Sequence, residues 1–146
     1  MNNPKEELKA MITLFKAHRS LLEFIKEDIK QYNFDINEFS VFEIIYHKKR
    51  LMINEIKENI LIANSSLSYI LDKLETRGLI KKEKSKKDKR ITYISLTKKG
   101  LIKAEEIFPT HYKTLINLFN VLNKEEKDTL VKLTKKIGLY TEEVLK

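Results

Sequence analysis

The side chains of this chain that could do chemistry are cations and hydroxyls, and both are concentrated between Asn64 and Gly100. From Lys81 to Lys99, nine basic residues stand against two acidic ones, so this segment has a net charge of +7, while the whole chain has +8. A cation excess confined to one short segment is typical of a surface that binds a polyanion such as duplex DNA. We therefore predict that the polar turn of this segment contacts DNA through Lys86, Lys87, Lys89 and Arg90, although a merely solvated run of charges is the alternative.

The hydroxyls belong to a predicted helix from Asn64 to Arg77, directly before the basic segment. Its apolar residues recur at helical spacing and form one stripe, Leu67, Ile70, Leu71 and Leu74. The opposite face would present Asn64, Ser65, Ser66, Ser68, Tyr69, Lys73 and Arg77. Short polar side chains near a helix N-terminus can approach base edges and phosphates, so we predict base or near-base contacts by Ser65, Ser66, Ser68 and Tyr69. A capped, solvated helix is the alternative, and these residue types do not specify an operator sequence.

Catalysis and metal binding have no comparable support. The three histidines are scattered singly, there is no cysteine, and no glycine-rich phosphate loop or G-x-S-x-G nucleophile motif is present. We therefore predict that the protein is not an enzyme and requires neither a metal nor another cofactor.

The elements that position the polar helix follow from periodicity and capping patterns. A long amphipathic helix is predicted from Lys5 to about Tyr32, and Asp35 with Glu38 resembles a capping box that opens a second helix. A short extended piece, Leu51–Ile53, is followed by a short helix capped by Asn54. The tight connection Leu61–Ala63 then leads to the polar helix. Two short helices joined in this way form a helix-turn-helix, whose second member usually enters the major groove.

The second half of the chain completes this plan. Gly78 stands where a left-handed helix cap is expected, and Leu79–Ile80 and Ile91–Leu96 are predicted strands of a hairpin. Thr97 is a predicted N-cap of a helix that Pro109 must kink or restart, because proline removes a backbone donor. Asn123 with Glu126 repeats the capping-box pattern before a last helix.

The first and last helices carry apolar stripes that a lone DNA-binding lobe could not cover. The last helix, for example, aligns Leu130, Leu133, Ile137 and Val144. We expect a two-fold homodimer, with packing of both termini on the same domain as the alternative. No segment is long and uncharged enough to span a membrane, and with no apolar leader the expected location is the cytoplasm.

Two motifs resemble a known family. Asp88, Arg90, Leu96, Thr97 and Gly100 match the pattern D-x-R-x5-L-T-x-x-G, the wing signature of the MarR family of bacterial transcriptional regulators, and the segment LETRGLI from Leu74 to Ile80 resembles the end of that family's recognition helix. The resemblance implies a mainly α fold with a small β-hairpin wing, a winged helix-turn-helix formed by residues 35–100. Residues 1–34 and 101–146 would then form the dimerisation region. It also implies that Arg90 enters the minor groove and that Asp88 steadies the hairpin.

The resemblance extends to a possible effector. The segments Ile107–His111 and Ile60–Glu75 look most like the subgroup that responds to quinone-type or other aromatic compounds. The family binds ligands between its dimer helices and its DNA-binding lobe, where this chain would place Met11, Phe15, Phe39, Glu43 and His111. The alternative is that Phe15 and Phe39 are core residues and His111 is a satisfied helix histidine.

These patterns together predict a homodimeric, sequence-specific repressor of A·T-rich inverted-repeat operators, released by a small aromatic, phenolic or quinone-like ligand. Two other interpretations stay open at this point: an architectural protein that coats DNA with little sequence choice, and a winged-helix module that binds an acidic protein partner.

Overall fold

The computed structural model describes residues 3–60 and 64–146, and for Asn64 and Ser65 it describes the backbone alone. The predicted connection at Leu61–Ala63 therefore lies outside the described residues. The helices are α1 (Pro4–Glu7), α2 (Lys9–Lys30), α3 (Ile36–Lys48), α4 (Ile53–Asn59), α5 (Asn64–Thr76), α6 (Lys98–Phe119) and α7 (Lys124–Val144). The strands are β1 (Arg50–Met52), β2 (Ile80–Lys84) and β3 (Thr92–Leu96). The predicted fold class, mainly helical with a small β wing, is confirmed.

Local capping chemistry decides where two of these helices begin. The Asp35 carboxylate accepts hydrogen bonds from the N–H groups of Asn37 and Glu38, and the Glu38 carboxylate accepts one from the Asp35 N–H. Asn123 and Glu126 make the same reciprocal pair of bonds before α7. Both predicted capping boxes are confirmed, and each satisfies backbone donors that a helix N-terminus otherwise leaves unpaired.

The wing is a three-stranded antiparallel sheet with the order β1-β3-β2. Ile80 pairs with Leu96 at the base of the hairpin, and Lys84 pairs with Thr92 near its tip. The sequence predicted the hairpin and the extended piece before α4, but it did not predict that this piece joins the sheet. In the sheet Leu51 lies opposite Ile94, and both side chains are buried.

The predicted N-cap of α4 is wrong, and one of the two alternatives at Pro109 is excluded. Asn54 is not the N-cap of α4, because the helix begins at Ile53 with Met52 as its N-cap, and the Glu55 carboxylate accepts the Met52 N–H at 2.6 Å. Of the two alternatives predicted at Pro109, a kink or a restart of the helix, the restart is excluded, because α6 continues through this residue from Lys98 to Phe119. Proline removes a single backbone donor, and the hydrogen bonds of the turns on either side maintain the helix.

The core beneath the helix-turn-helix is aromatic. Phe34, Phe39, Phe42 and Phe108 are all buried, and the ring of Phe39 lies 5.8 Å from that of Phe34 and 5.4 Å from that of Phe108, edge to face in both cases. The rings of Phe34 and Phe42 stack at 5.1 Å. Such pairs add to the stabilisation that comes from apolar burial, so this cluster stabilises the packing of α3.

The contacts within the chain divide it into two compact units, residues 1–108 and 109–146. The first unit contains every strand and every helix up to α5, and α6 contributes to both units. Within the described ranges, no helix is both long enough and apolar enough to cross a membrane.

Candidate nucleic-acid interface

Helix α5 has the two faces that its sequence predicted. The four residues of the apolar stripe are buried, so this face of α5 packs into the core: Leu67, Ile70, Leu71 and Leu74. Ser66, Ser68 and Tyr69 are exposed on the other face, and Tyr69 keeps 68% of its surface accessible. Asn64 and Ser65 belong to the same helix, but their side chains lie outside the described part of the structure.

Lys73 and Arg77, which were predicted to face DNA, have a partner inside the lobe. Lys73 Nζ forms an ion pair with Glu38 Oε1, and Arg77 Nη1 lies 3.8 Å from Glu38 Oε2. The Glu38 side chain is only 2% exposed, while those of Lys73 and Arg77 are 43% and 28% exposed. The adjacent carboxylate raises the pKa of Lys73 above its usual value. The sequence did not indicate this ion pair, because the capping box already accounted for the presence of Glu38.

Along the other edge of α5 the helix contributes the acidic partners, and the wing contributes the basic one. Lys82 of β2 forms an ion pair with Asp72, and its Nζ lies 3.6 Å from the Glu75 carboxylate. Lys73 of α5 and Arg77, the residue that follows the helix, are thus paired with an acid of α3, and the two acidic residues of α5 are paired with a base of the wing. These contacts hold α5 between α3 and the sheet.

The wing tip presents Arg90 in a fixed orientation. The Arg90 Nε and Nη2 atoms donate to the two carboxylate oxygens of Asp88 at 3.1 and 3.0 Å, and the Arg90 N–H donates to Asp88 Oδ1 at 3.0 Å. The Arg90 side chain is nevertheless 90% exposed. This pairing lowers the pKa of Asp88 below its usual range. The carboxylate therefore occupies one edge of the guanidinium, and the Nη1 side points away from that pairing.

The predicted lysines of the turn, Lys86, Lys87 and Lys89, are all exposed. Arg50, which no sequence pattern indicated, lies near them: its guanidinium carbon lies 3.9 Å from the centre of the Tyr93 ring. Together with Lys84, Lys86 and Lys87 it lines an open groove of about 760 Å³. The pairing of β1 with β3 brings Arg50 here, and no local sequence signal indicates that pairing.

The end of α5 is joined to the start of α6 by hydrogen bonds. Gly78 has a φ of +72°, the left-handed value expected of a helix cap. The Thr97 hydroxyl donates to the Gly78 carbonyl at 2.5 Å and accepts the Gly100 N–H at 3.0 Å, so Thr97 is the predicted N-cap of α6. Lys99 Nζ also donates to the Arg77 carbonyl at 2.9 Å. A Cβ on Gly100 would lie 1.9 Å from the Leu79 carbonyl oxygen, so this close approach requires glycine.

The five predicted effector residues differ in their surroundings. Phe39 is buried in the aromatic core and His111 is 3% exposed, whereas Met11 and Phe15 are 46% and 62% exposed and Glu43 is half-buried. Burial of Phe39 agrees with the alternative of a core role, while the exposure of Phe15 does not. A small open cavity of about 270 Å³ at the C-terminal end of α3 includes none of the five in its lining, which contains Tyr46, Lys49 and Leu101. The effector site stays a prediction.

Among the described residues, no group of three or more histidine, aspartate or glutamate side chains is arranged to hold a metal ion.

Comparisons with known proteins agree with the fold and with the motifs. A model of the MarR family matches residues 34–92. The chain is 33% identical to the HTH-type transcriptional regulator MhqR of Bacillus subtilis (strain 168), over 92% of this chain and 93% of that protein. Relatives of this kind are named as transcriptional regulators and not as enzymes.

Solved structures show the same fold at lower sequence identity. AbsC, a MarR family transcriptional regulator from Streptomyces coelicolor, superposes with a TM-score of 0.85 at 20% identity, over 94% of this chain and 95% of that one. A mutant MarR from Escherichia coli, complexed with operator DNA, superposes with a TM-score of 0.76 at 19% identity, over 94% and 99% of the two chains.

Proposed function

Because the chain belongs to the MarR family of transcriptional regulators, we propose that it binds A·T-rich inverted-repeat operators as a homodimer and represses transcription from them. The proposal places its activity in the cytoplasm, with the bacterial chromosome. A small aromatic, phenolic or quinone-like molecule would release it.

The observation that carries the DNA-binding proposal is the pairing of Asp88 with Arg90 at the wing tip. A guanidinium that is 90% exposed has no structural need for a fixed orientation, yet two hydrogen bonds from its side chain orient it. A narrow A·T-rich minor groove has an enhanced negative potential and favours an inserted arginine. The exposed lysines of the same turn would add phosphate contacts, which increase affinity without choosing a sequence.

The exposed face of α5 provides the second part of the proposed interface. Ser66, Ser68 and Tyr69 are exposed on the helix that precedes the wing, and the apolar stripe faces away from them. With α5 in the major groove, the wing would reach the neighbouring minor groove, so one lobe would read two adjacent grooves. Base choice would then combine direct contacts with the width of the minor groove.

The proposed homodimer rests on the terminal helices. No residue of α7 is buried within the chain, although Leu133, Ile137 and Val144 lie along one side and are each more than half exposed. Met11 and Phe15 of α2 are also exposed, at 46% and 62%. Apolar surface of this extent favours association with a second copy, and two-fold symmetry implies half-sites about one helical turn apart.

The effector part of the proposal has narrower support. It rests on the segments Ile107–His111 and Ile60–Glu75, which resemble the subgroup that responds to aromatic compounds, and on the exposed Met11 and Phe15. Release requires that the ligand bind the arrangement without DNA more tightly than the arrangement on DNA. A cysteine-based oxidation trigger cannot operate, because the chain has no cysteine.

Selection of bound duplexes from random DNA, with and without a panel of phenols and quinones, tests the whole proposal. We expect an enriched A·T-rich inverted repeat whose binding survives an excess of random competitor DNA. Loss of the complex with one class of aromatic compound would identify the effector. An architectural protein would give no enriched sequence and would be removed by the competitor, and this result would overturn the proposal.

A further inference from the structure

We propose that Glu38 is a positioning residue for DNA recognition, which holds α5 in its reading orientation by binding Lys73 and Arg77 and keeps these two cations from the phosphates. The inference rests on the proposed DNA binding and deepens it. It assigns Lys73 and Arg77 to the alignment of the helix, in place of the direct DNA contacts that the sequence predicted for them.

The Glu38 carboxylate is buried and needs compensating partners. It is 2% exposed, and it lies at the N-terminus of α3, where its Oε2 accepts the Asp35 N–H at 3.1 Å. A buried carboxylate is strongly unfavourable unless cations and hydrogen bonds compensate it. In this lobe the compensating cations come from α5. The electrostatic requirement of Glu38 is therefore met when the recognition helix is in place.

Arg77 is held on two sides. Its guanidinium carbon lies 4.3 Å from the centre of the Phe34 ring, while Nη1 faces Glu38. Phe34 is itself buried and stacked on Phe42. A planar guanidinium between a ring and a carboxylate has one favourable orientation, so this contact fixes the C-terminal turn of α5.

The ion pairs also restrain rotation of α5 about its own axis. Lys73 and Arg77 are four residues apart and lie on one edge of the exposed face, while Glu75 lies on the other edge. Tyr69 lies between these edges. Ion pairs to α3 at one edge and to Lys82 of the wing at the other resist rotation in both directions. The pairs therefore determine where Tyr69 and its neighbouring serines point.

The consequence can be measured with Glu38→Gln, which keeps the shape of the side chain and removes its charge. Lys73 and Arg77 would become available to phosphates, and α5 would lose one of its two restraints. We expect selectivity for the operator over a scrambled duplex to fall by about tenfold, comparable with one mismatched base pair. Binding to the scrambled duplex should become tighter, and its log–log dependence on salt should steepen by about 0.9 for each cation released.

Glu27→Gln is the matched control. It also removes one carboxylate that is paired with a lysine, since Lys30 Nζ lies 2.6 Å from Glu27 Oε2, but this pair is exposed and lies on α2. We expect this variant to keep the selectivity and the salt dependence of the unmodified protein. Equal weakening on both duplexes in Glu38→Gln, or no change on either, would overturn the inference.

A second variant decides the question if Glu38→Gln fails to fold, which thermal unfolding would reveal. In Lys73→Gln, the buried Glu38 carboxylate keeps two of its partners, Arg77 and the Asp35 N–H. A positioning role predicts reduced selectivity with an unchanged salt dependence on the scrambled duplex. A direct phosphate contact predicts a salt dependence that is shallower by about 0.9 on every duplex, and that result would overturn the inference. An unmodified protein with no selectivity would overturn the proposed function, and the inference with it.

Discussion

Gly100→Ala should destabilise the protein, although alanine is the better residue within a helix. The added Cβ would lie 1.9 Å from the Leu79 oxygen and 2.8 Å from the Leu79 carbonyl carbon, both of which are backbone atoms. In proteins a Cβ essentially never lies within 3.0 Å of an atom outside its own stretch of chain. The first turn of α6 would therefore have to move by at least 1.1 Å. A shift of this size disturbs the Thr97 hydroxyl, which bonds both to the end of α5 and to the start of α6.

Three contributions determine the change in the free energy of unfolding, and one of them opposes the other two. Overpacking against fixed atoms costs about 1–3 kcal/mol, and a weakened N-cap costs about 1 kcal/mol. Replacement of glycine by alanine within a helix contributes about 1 kcal/mol in the other direction. The free energy of unfolding should therefore fall by about 1–3 kcal/mol, a large share of the roughly 5–15 kcal/mol that stabilises a typical domain.

Urea unfolding followed by circular dichroism measures this change, with both proteins at one concentration because association contributes to stability. Gly138→Ala is the matched control, since Gly138 is also helical and a Cβ there would meet nothing within 4 Å in the chain. This variant should be more stable by about 0.5–1 kcal/mol. If both variants shift in the same direction by similar amounts, the backbone of Leu79 does not confine position 100 and the reasoning is wrong.

The remaining predictions concern the junction, the wing and the last helix. Thr97→Val removes both hydrogen bonds of the hydroxyl and should cost about 1–3 kcal/mol in urea unfolding, while Thr97→Ser should recover most of the loss. Arg90→Ala should weaken operator binding by about 1–3 kcal/mol, and an unchanged Kd would remove Arg90 from the interface. The depressed pKa of Asp88 means that its pairing stabilises the hairpin at neutral pH and is lost as the pH falls through the folded-state value; carbon-detected NMR titration should show this pKa returning toward the ordinary range in Arg90→Ala. Truncation at Asn123 deletes α7 and should yield monomers or aggregates on a sizing column, where a well-behaved truncated dimer would contradict the proposed interface.

Local signals in the sequence were sufficient for most of the fold. Asp35 and Asn123 cap helices with their own near neighbours, and Gly78 and Thr97 occupy positions whose chemistry is decided within a few residues. The buried stripe of α5 follows from helical spacing alone. Each of these features depends on residues that are close in the sequence, and for this reason pattern reasoning finds them.

The features that the sequence did not reveal depend on distant residues. The ion pair of Glu38 with Lys73 joins positions in different helices, and the pairing of β1 with β3 brings Arg50 to the wing. Nothing in the sequence around Arg77 distinguishes an arginine that binds phosphate from one that lies against the ring of Phe34. Charge and exposure of a residue type do not distinguish a contact with a partner from a contact within the fold.

The pairing of every charge from Asn64 to Arg77 would have a kinetic consequence for the proposed DNA binding. From Asn64 to Arg77 the formal charges cancel, since Asp72 and Glu75 balance Lys73 and Arg77, and all four are engaged within the lobe. In the proposed complex, long-range attraction would then come from the wing, and it would govern how fast the protein arrives at DNA. The uncharged side chains around Tyr69 would act only after docking, and they would determine how long the protein stays.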